Sequence, residues 1–404
     1  MMKFIFSSED WTATEREAAH RGLQGLHRRE EAGFLAAACD DHAWLMVQER
    51  AAQIRRQADQ FVVVGVGGSS LGAKALISLS GGQMPLFLDN LDPETTRAAL
   101  QTLKNHKRTH WLWISKSGST LETLAHLQNI LSWCVQNGID LAKCSTVVAE
   151  QKEGALQQWA KNARVPMLHI PSNVSGRFSV FTAAGLLPAA LAGVDLGKVK
   201  QGIESVGMAY ETLERLMAAT LSSWRREEWV TLFWVYGDRL QPLTAWLQQL
   251  WAESLAKRVG RQGQTPARVS FPVACVGSQD QHSILQQVIE GARDKWVWLL
   301  RVQELEMQAP YLEGDLLPAL VPLRGKTFGQ IFNAQAQGTQ QGMKAAGVAT
   351  LEWIWPKADA EHAGFSLYLL EQMVAGLGEC LDLNAFDQPG VERGKTITQN
   401  LLRK

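Results

Sequence analysis

From residue 59 onward the chain alternates short apolar runs with stretches of helical spacing. FVVVGV at 61–66, THWLWI at 109–114, then STVVAE and PMLHI read as strands, each followed by a loop and a helical stretch. After a polar helical connection at about 196–226 a second series begins: WVTLFWVY, PVACVG, KWVWLLRV and VATLEWIW, with helices between them. Runs apolar on every position suit strands covered on both faces, and strand–helix alternation gives parallel sheets. The prediction is an α/β protein of two tandem domains, at 59–195 and 196–380. A helical cap over 1–58 precedes them, and a loop and helix over 381–404 follow and close the site.

Composition narrows the function classes. The 404 residues are 46% hydrophobic and 20% charged, as expected of a globular chain with several cores. Forty basic residues balance forty acidic ones, so no global field exists to hold nucleic acid or an anionic membrane. An anion must be bound by local geometry. Five scattered cysteines without a C-x-x-C pair argue against a disulfide framework or a zinc site. The apolar stretch in MMKFIFSSEDW is too short for a signal sequence, and Val180 to Val194 is below spanning length and contains a proline. The expected location is the cytoplasm.

In open parallel sheets ligands bind beyond the carboxyl ends of the strands, which directs attention to the loops there. WLWISKSGSTLET at 111–123 is a strand, a loop of hydroxyls with one lysine, and a helix start. Ser115, Lys116, Ser117 and Thr120 with the free N–H groups of the helix form a candidate cradle for a phosphate. The competing reading is an ordinary helix cap. A second glycine-rich loop, GVGGSSLG at 65–72, supplies Gly68 and Ser69. It is not a Walker loop, because Ala73 stands where the lysine belongs, and Ser70 breaks the strict dinucleotide pattern, although Asp89 lies at a distance suited to a ribose contact. Two such loops after neighbouring strands fit one compact phosphorylated ligand.

GVGGSSLG, SKSGSTLET, SGRFS at 175–179, QLWAESLAK at 249–257, DQH at 280–282 and FDQPGVERGK at 386–395 resemble, in order, the signature segments of the glucose-6-phosphate isomerase family in its compact bacterial form. The resemblance covers about residues 60 to 400. It implies two sugar-isomerase domains of flavodoxin-like type, interconversion of glucose 6-phosphate and fructose 6-phosphate without cofactor or metal, and a homodimer. Ser70, Ser175 and Ala256 depart from the family pattern.

Aldose–ketose isomerisation needs a phosphate anchor, an acid to open the ring, a base to carry a proton between carbon 1 and carbon 2, and positive charge beside the enediolate. Glu253, one helical turn after Gln249, is the candidate base; its other reading is a solvated i,i+4 pair with Lys257. Arg177 stands before the apolar run FSVFTAAGLLPAALAG, at the mouth of a helix, as a stabiliser of oxyanion charge. His282 falls two residues after Asp280, a candidate N-cap; the resemblance gives it ring opening from the neighbouring subunit. Lys395 shares a helical stripe with Val391, Thr398 and Leu402, which predicts an inward-facing cation whose partner is a phosphosugar hydroxyl or ring oxygen, a fourth catalytic candidate. The resemblance adds Gly68, Gly176, Gln249 and Gln388 as sugar contacts. A sugar-phosphate-sensing regulatory module and a nucleotide-dependent oxidoreductase are the alternatives.

Overall fold

A computed structural model describes residues 2–103 and 108–403. Its ten described strands are β1 (Lys3–Phe6), β2 (Gln60–Val64), β3 (Leu86–Leu88), β4 (Thr109–Ile114), β5 (Ser145–Ala149), β6 (Met167–His169), β7 (Val230–Tyr236), β8 (Phe271–Gly277), β9 (Lys295–Val302) and β10 (Ala349–Trp355). They form two five-stranded sheets, ordered β3-β2-β4-β5-β6 and β1-β10-β9-β7-β8. Every pairing is parallel except β1 with β10. All six residues of β4 and all five of β5 are buried, as strands covered by helices on both faces must be.

Two strands escaped the hydrophobic pattern. β3 has only three residues, too few to show a period. β1 lies in the segment read as a helical cap, where its alternating exposed and half-buried residues pair antiparallel with Ile354 to Leu351 at the edge of the second sheet. The remainder of that segment is helical, at Ala13–Leu26, Gly33–Ala37 and Asp41–Gln57.

The two halves share one apolar core, which runs from Val63 and Leu112 through Phe178, Trp246 and Trp251 to Trp298 and Leu367. Burying each such side chain contributes about 1.5–3 kcal/mol. The apolar run at 180–194 proves to be a core helix, Ala183–Leu191, with every residue buried. No helix among the described residues is long and apolar enough to cross a membrane.

The helix Ala360–Cys380 packs against Leu196–Ser205 and Ala13–Leu26 and is almost wholly buried. It carries Glu371, fully buried, with neither carboxylate oxygen hydrogen-bonded. Burial raises this group well above the ordinary glutamate value, so the folded chain holds a proton that the unfolded chain releases. Stability associated with Glu371 is therefore present below the unfolded value and declines as pH rises toward the folded one. Glu371→Leu is expected to raise the melting temperature, and by more at pH 8 than at pH 5, since an orphaned buried polar group costs about 1–3 kcal/mol. Calorimetry at the two pH values checks this; equal or negative shifts would contradict it.

Candidate active site

β2 and β4 are neighbours in register, Val64 beside Trp113, so their following loops emerge together. The chain leaves β2 for β3 on one side and returns to β4 on the other, which makes this gap the switch point of the first sheet.

After β2, residues Gly67–Ser69 form a tight turn that leaves Ser69 half-buried, and the Ser70 hydroxyl donates to the Gly67 carbonyl at 3.2 Å. A Cβ on Gly68 would lie 2.3 Å from the carbonyl carbon of Gly176, so the loop at 175–179 packs backbone to backbone on this turn. The Ser179 hydroxyl joins them, donating to the carbonyls of Gly176 at 2.6 Å and Gly68 at 3.3 Å.

After β4, Gly118 takes φ of 66°, and its N–H donates to the buried Ser115 hydroxyl at 3.1 Å. Ser115 and Thr120 hydroxyl oxygens lie 2.8 Å apart, while Ser117 accepts from the Ser119 N–H and hydroxyl. Thr120 occupies the N-cap of the helix Leu121–Gln136 but makes no side-chain cap bond. The capping reading fails on that point, because the hydroxyl turns toward Ser115. The positive end of the helix and a cluster of hydroxyls are left together. Lys116 does not join them. Its ammonium donates to the Ser172 carbonyl at 2.7 Å and lies 3.9 Å from Glu150, and burial lowers it from the ordinary lysine value.

Glu253 and Gln249 project from one face of the helix Gln241–Leu255, with Gln249 Nε2 donating to Glu253 Oε1 at 3.2 Å. The same amide nitrogen lies 3.0 Å from where a Gly67 Cβ would stand, which brings this helix to the β2 loop. Gln249 Oε1 is buried without a partner. The other oxygen of Glu253 accepts from Arg177 Nη1 at 3.2 Å, and the Glu253 side chain keeps about 29% exposure. Lys257 forms no side-chain pair with Glu253. It donates instead to the Glu253 carbonyl at 2.8 Å and to Asp387, at 2.6 Å to the carbonyl and 2.8 Å to Oδ1. The solvated i,i+4 pair is thus absent.

Arg177 lies in the turn Gly176–Phe178 ahead of the apolar helix, and its side chain is wholly enclosed rather than open at a helix mouth. Nε donates to Ser254 Oγ at 2.8 Å, Nη1 also to Gln388 Oε1 at 3.0 Å, and Nη2 to the carbonyls of Ala385 at 2.5 Å and Asp387 at 2.9 Å. Burial lowers its pKa, and the neighbouring Glu253 opposes that shift. A cavity of about 1030 Å³ opens beside Glu253, lined among others by Lys257, Arg258, Phe386, Gln388 and Arg393.

Two predicted residues stand apart. Lys395 is exposed and pairs with Glu392 at 2.7 Å, because the helix Glu392–Leu402 buries none of its residues; Val391 and Leu402 of the supposed inward stripe are exposed too. His282 closes the short turn Gln279–His282 and is exposed, outside the cavity at Glu253. Asp280 is not the cap of a long helix: its carboxylate accepts from the Val276 N–H and the Ser283 hydroxyl and ties the turn to the end of β8. Asp89, the candidate ribose contact, pairs with Lys74 at 2.6 Å. Among the described residues no group of His, Cys, Asp or Glu is assembled that could hold a metal, and all five cysteines are free.

The sequence model described as phosphoglucose isomerase matches residues 48–305. A protein named glucose-6-phosphate isomerase from Thermus thermophilus is 36% identical over 398 residues, covering 96% of this chain and 94% of its own. The chain belongs to the phosphoglucose isomerase family. A glucose-6-phosphate isomerase from Carboxydothermus hydrogenoformans is 31% identical over 88% of this chain and 81% of its own. Among solved structures, a hypothetical protein of Thermus thermophilus superposes with TM-score 0.84 at 33% identity, covering 97% of this chain and 95% of that one. A glucose-6-phosphate isomerase from Chlamydia trachomatis, at TM-score 0.76 and 22% identity over 95% of this chain and 78% of that one, shares the fold.

Departures from the phosphoglucose isomerase pattern sit where the backbone tolerates them. Ala256 is extended, at φ −79° and ψ 96°, and Ser175 at φ −73°, so neither place demands glycine. Sequence reasoning missed Ser254 and Asp387, which hold the guanidinium and the lysine. Each adjoins a residue that the sequence does single out, Glu253 or Gln388, and that adjacency is the available signal.

Replacing Ser117 and Thr120 with alanine is expected to weaken binding of inorganic phosphate by more than tenfold while the melting temperature changes little. Each hydrogen bond to a charged group is worth about 1.5–3 kcal/mol, and neither hydroxyl caps the helix. Titration calorimetry and thermal melts check this. Unchanged phosphate affinity with a lowered melting temperature would return the loop to a purely structural role.

Proposed function

We propose that the protein interconverts glucose 6-phosphate and fructose 6-phosphate by ring opening and an enediolate intermediate. The observation that carries this reading is a partly exposed carboxylate, Glu253, held between Arg177 and Gln249 at the edge of a cavity. The elements bearing it meet the Gly67–Ser69 turn, beside an uncapped helix end with its hydroxyls. Ser69, Ser115, Ser117, Thr120 and the first N–H groups of the helix from Leu121 take the phosphate, with Gly68 and Gly176 leaving room for the backbone to approach. Glu253 moves the proton between carbon 1 and carbon 2, and Gln249 and Gln388 contact the sugar hydroxyls. The enclosed guanidinium of Arg177 supplies positive charge behind Glu253 and Gln388, in a setting where little water screens it. A sensing module would need the hydroxyl loops but not the Arg177–Glu253–Gln249 constellation, and an oxidoreductase would need the Asp89 that Lys74 occupies.

His282 completes the site as the acid that opens the ring, supplied by the second subunit of a homodimer. Its exposure and its place outside the cavity at Glu253 support a contribution from across an interface. Each active site then combines Glu253 of one subunit with His282 of the other. Glu253→Gln and His282→Ala homodimers should each lose at least about a hundredfold in kcat, the usual worth of a positioned acid or base. When the two variants are co-refolded, half the dimers are mixed and each carries one intact site, so roughly a quarter of wild-type activity should return. A coupled assay on fructose 6-phosphate, with light scattering to confirm the dimer, reads the result. Full turnover in Glu253→Gln would end the base assignment; no recovery despite subunit exchange would place His282 outside a shared site.

A further inference from the structure

We infer that Lys257 is a positioning residue for the isomerisation: it fixes the main chain of Glu253 against that of the strap carrying Gln388. The inference rests on the reading of Glu253 as the base.

The helix Gln241–Leu255 ends just beyond Glu253, and Ala256 turns away in extended conformation. The Glu253 carbonyl is therefore one of the last in the helix, which lack intrahelical donors. Lys257 folds back on it at 2.8 Å and reaches across to the Asp387 carbonyl at 2.6 Å and Oδ1 at 2.8 Å. An ammonium has three donors, and these three acceptors use them all. Its side chain is only 5% exposed, so no donor is left for a sugar oxygen even though the residue borders the cavity. The role left to it is to hold other groups in place.

The strap is gripped from two sides. Arg177 holds it at the Ala385 and Asp387 carbonyls, and the Asp387 carbonyl is shared by both cations. Gln388, the next residue, reaches Arg177 Nη1, which also holds Glu253. Arg177 grips this segment at Ala385, Asp387 and Gln388, whereas Lys257 ties Asp387 directly to the helix end that bears Glu253. Loss of Lys257 would keep the Arg177 contacts but remove that direct tie, so the Glu253 carboxylate and the Gln388 amide could shift relative to one another. Misplacement of a reacting group by about 1 Å is worth roughly a hundredfold in rate.

The test compares Lys257→Met, Lys257→Arg, Asp387→Ala and the double variant Lys257→Met/Asp387→Ala. Lys257→Met should lower kcat for fructose 6-phosphate by roughly tenfold to a hundredfold while affinity for inorganic phosphate, read by titration calorimetry, stays within about twofold. Lys257→Arg should recover part of the loss. Asp387→Ala alone should lower kcat severalfold, and in the Lys257→Met background it should add almost nothing, because the partner is already gone. Asp387→Ala keeps the proposal testable if Lys257→Met fails to fold. A Lys257→Met enzyme that melts earlier but keeps its kcat, or losses that multiply in the double variant, would overturn the inference. Glu253→Gln is assayed in parallel. If it is inactive while Lys257→Met turns over normally, the positioning role alone falls; if it is active, the base assignment falls.

Discussion

The structure depends on one buried guanidinium. Arg177 is fully enclosed, and such a charge is tolerated only when its donors are met. Here they are met by Ser254, Glu253, Gln388 and the carbonyls of Ala385 and Asp387. These partners belong to a helix of the second half and to the segment that follows the core helix Ala360–Cys380. The guanidinium itself belongs to a turn packed on the glycine loop of the first half. Satisfying one charge thus docks three distant segments around the Glu253 carboxylate, so the contacts that satisfy the fold also set the surroundings of the proposed base.

The helix ends beyond corresponding strands of the two sheets are capped differently. In order and direction β7, β8, β9 and β10 repeat β2, β3, β4 and β5. The helix that follows β9 is Phe328–Ala345, whose amino end is closed by a capping box of Thr327 with Gln330. The chain between β9 and that helix also lies across the end, where a Cβ on Gly329 would stand 1.4 Å from the Leu305 carbonyl. In the first sheet Thr120 holds the corresponding N-cap and leaves it unused. A duplicated architecture offers two switch points, and the uncapped helix end of the first is the one the proposed phosphate site uses.

Much of this was legible in the chain. Continuous apolar runs gave eight strands of the two sheets, because strands buried on both faces carry their period in composition alone. The hydroxyl loops stand out in the sequence because loops after parallel strands are where ligands bind, whereas Glu253, inside a helix, stands out only through the resemblance. β1 and β3 were missed because three or four residues show no period, and β1 gains its partner from the far end of the sequence. The inward-facing stripe expected at Lys395 does not form, because a stripe on a helix buries nothing unless another element packs against it. Lys116 was misplaced because spacing locates a Cα, not the end of a flexible side chain that Ser172 and Glu150 draw away. The competing pair of Lys257 with the Glu253 side chain is replaced by a bond to the Glu253 carbonyl, a distinction that side-chain spacing cannot carry.

The most direct test of this account is Arg177→Lys, which keeps the charge and removes the planar fork that reaches separate acceptors. Proton exchange at carbon 1 of fructose 6-phosphate, thermal melting and phosphate binding should be measured on the one variant. Exchange should fall by at least about a hundredfold together with a lowered melting temperature, because several buried acceptors lose their donors at once. Phosphate affinity should survive, since the hydroxyl loop does not depend on the guanidinium. A variant that exchanges and melts like the wild type would contradict the claim that this charge organises both the fold and the site.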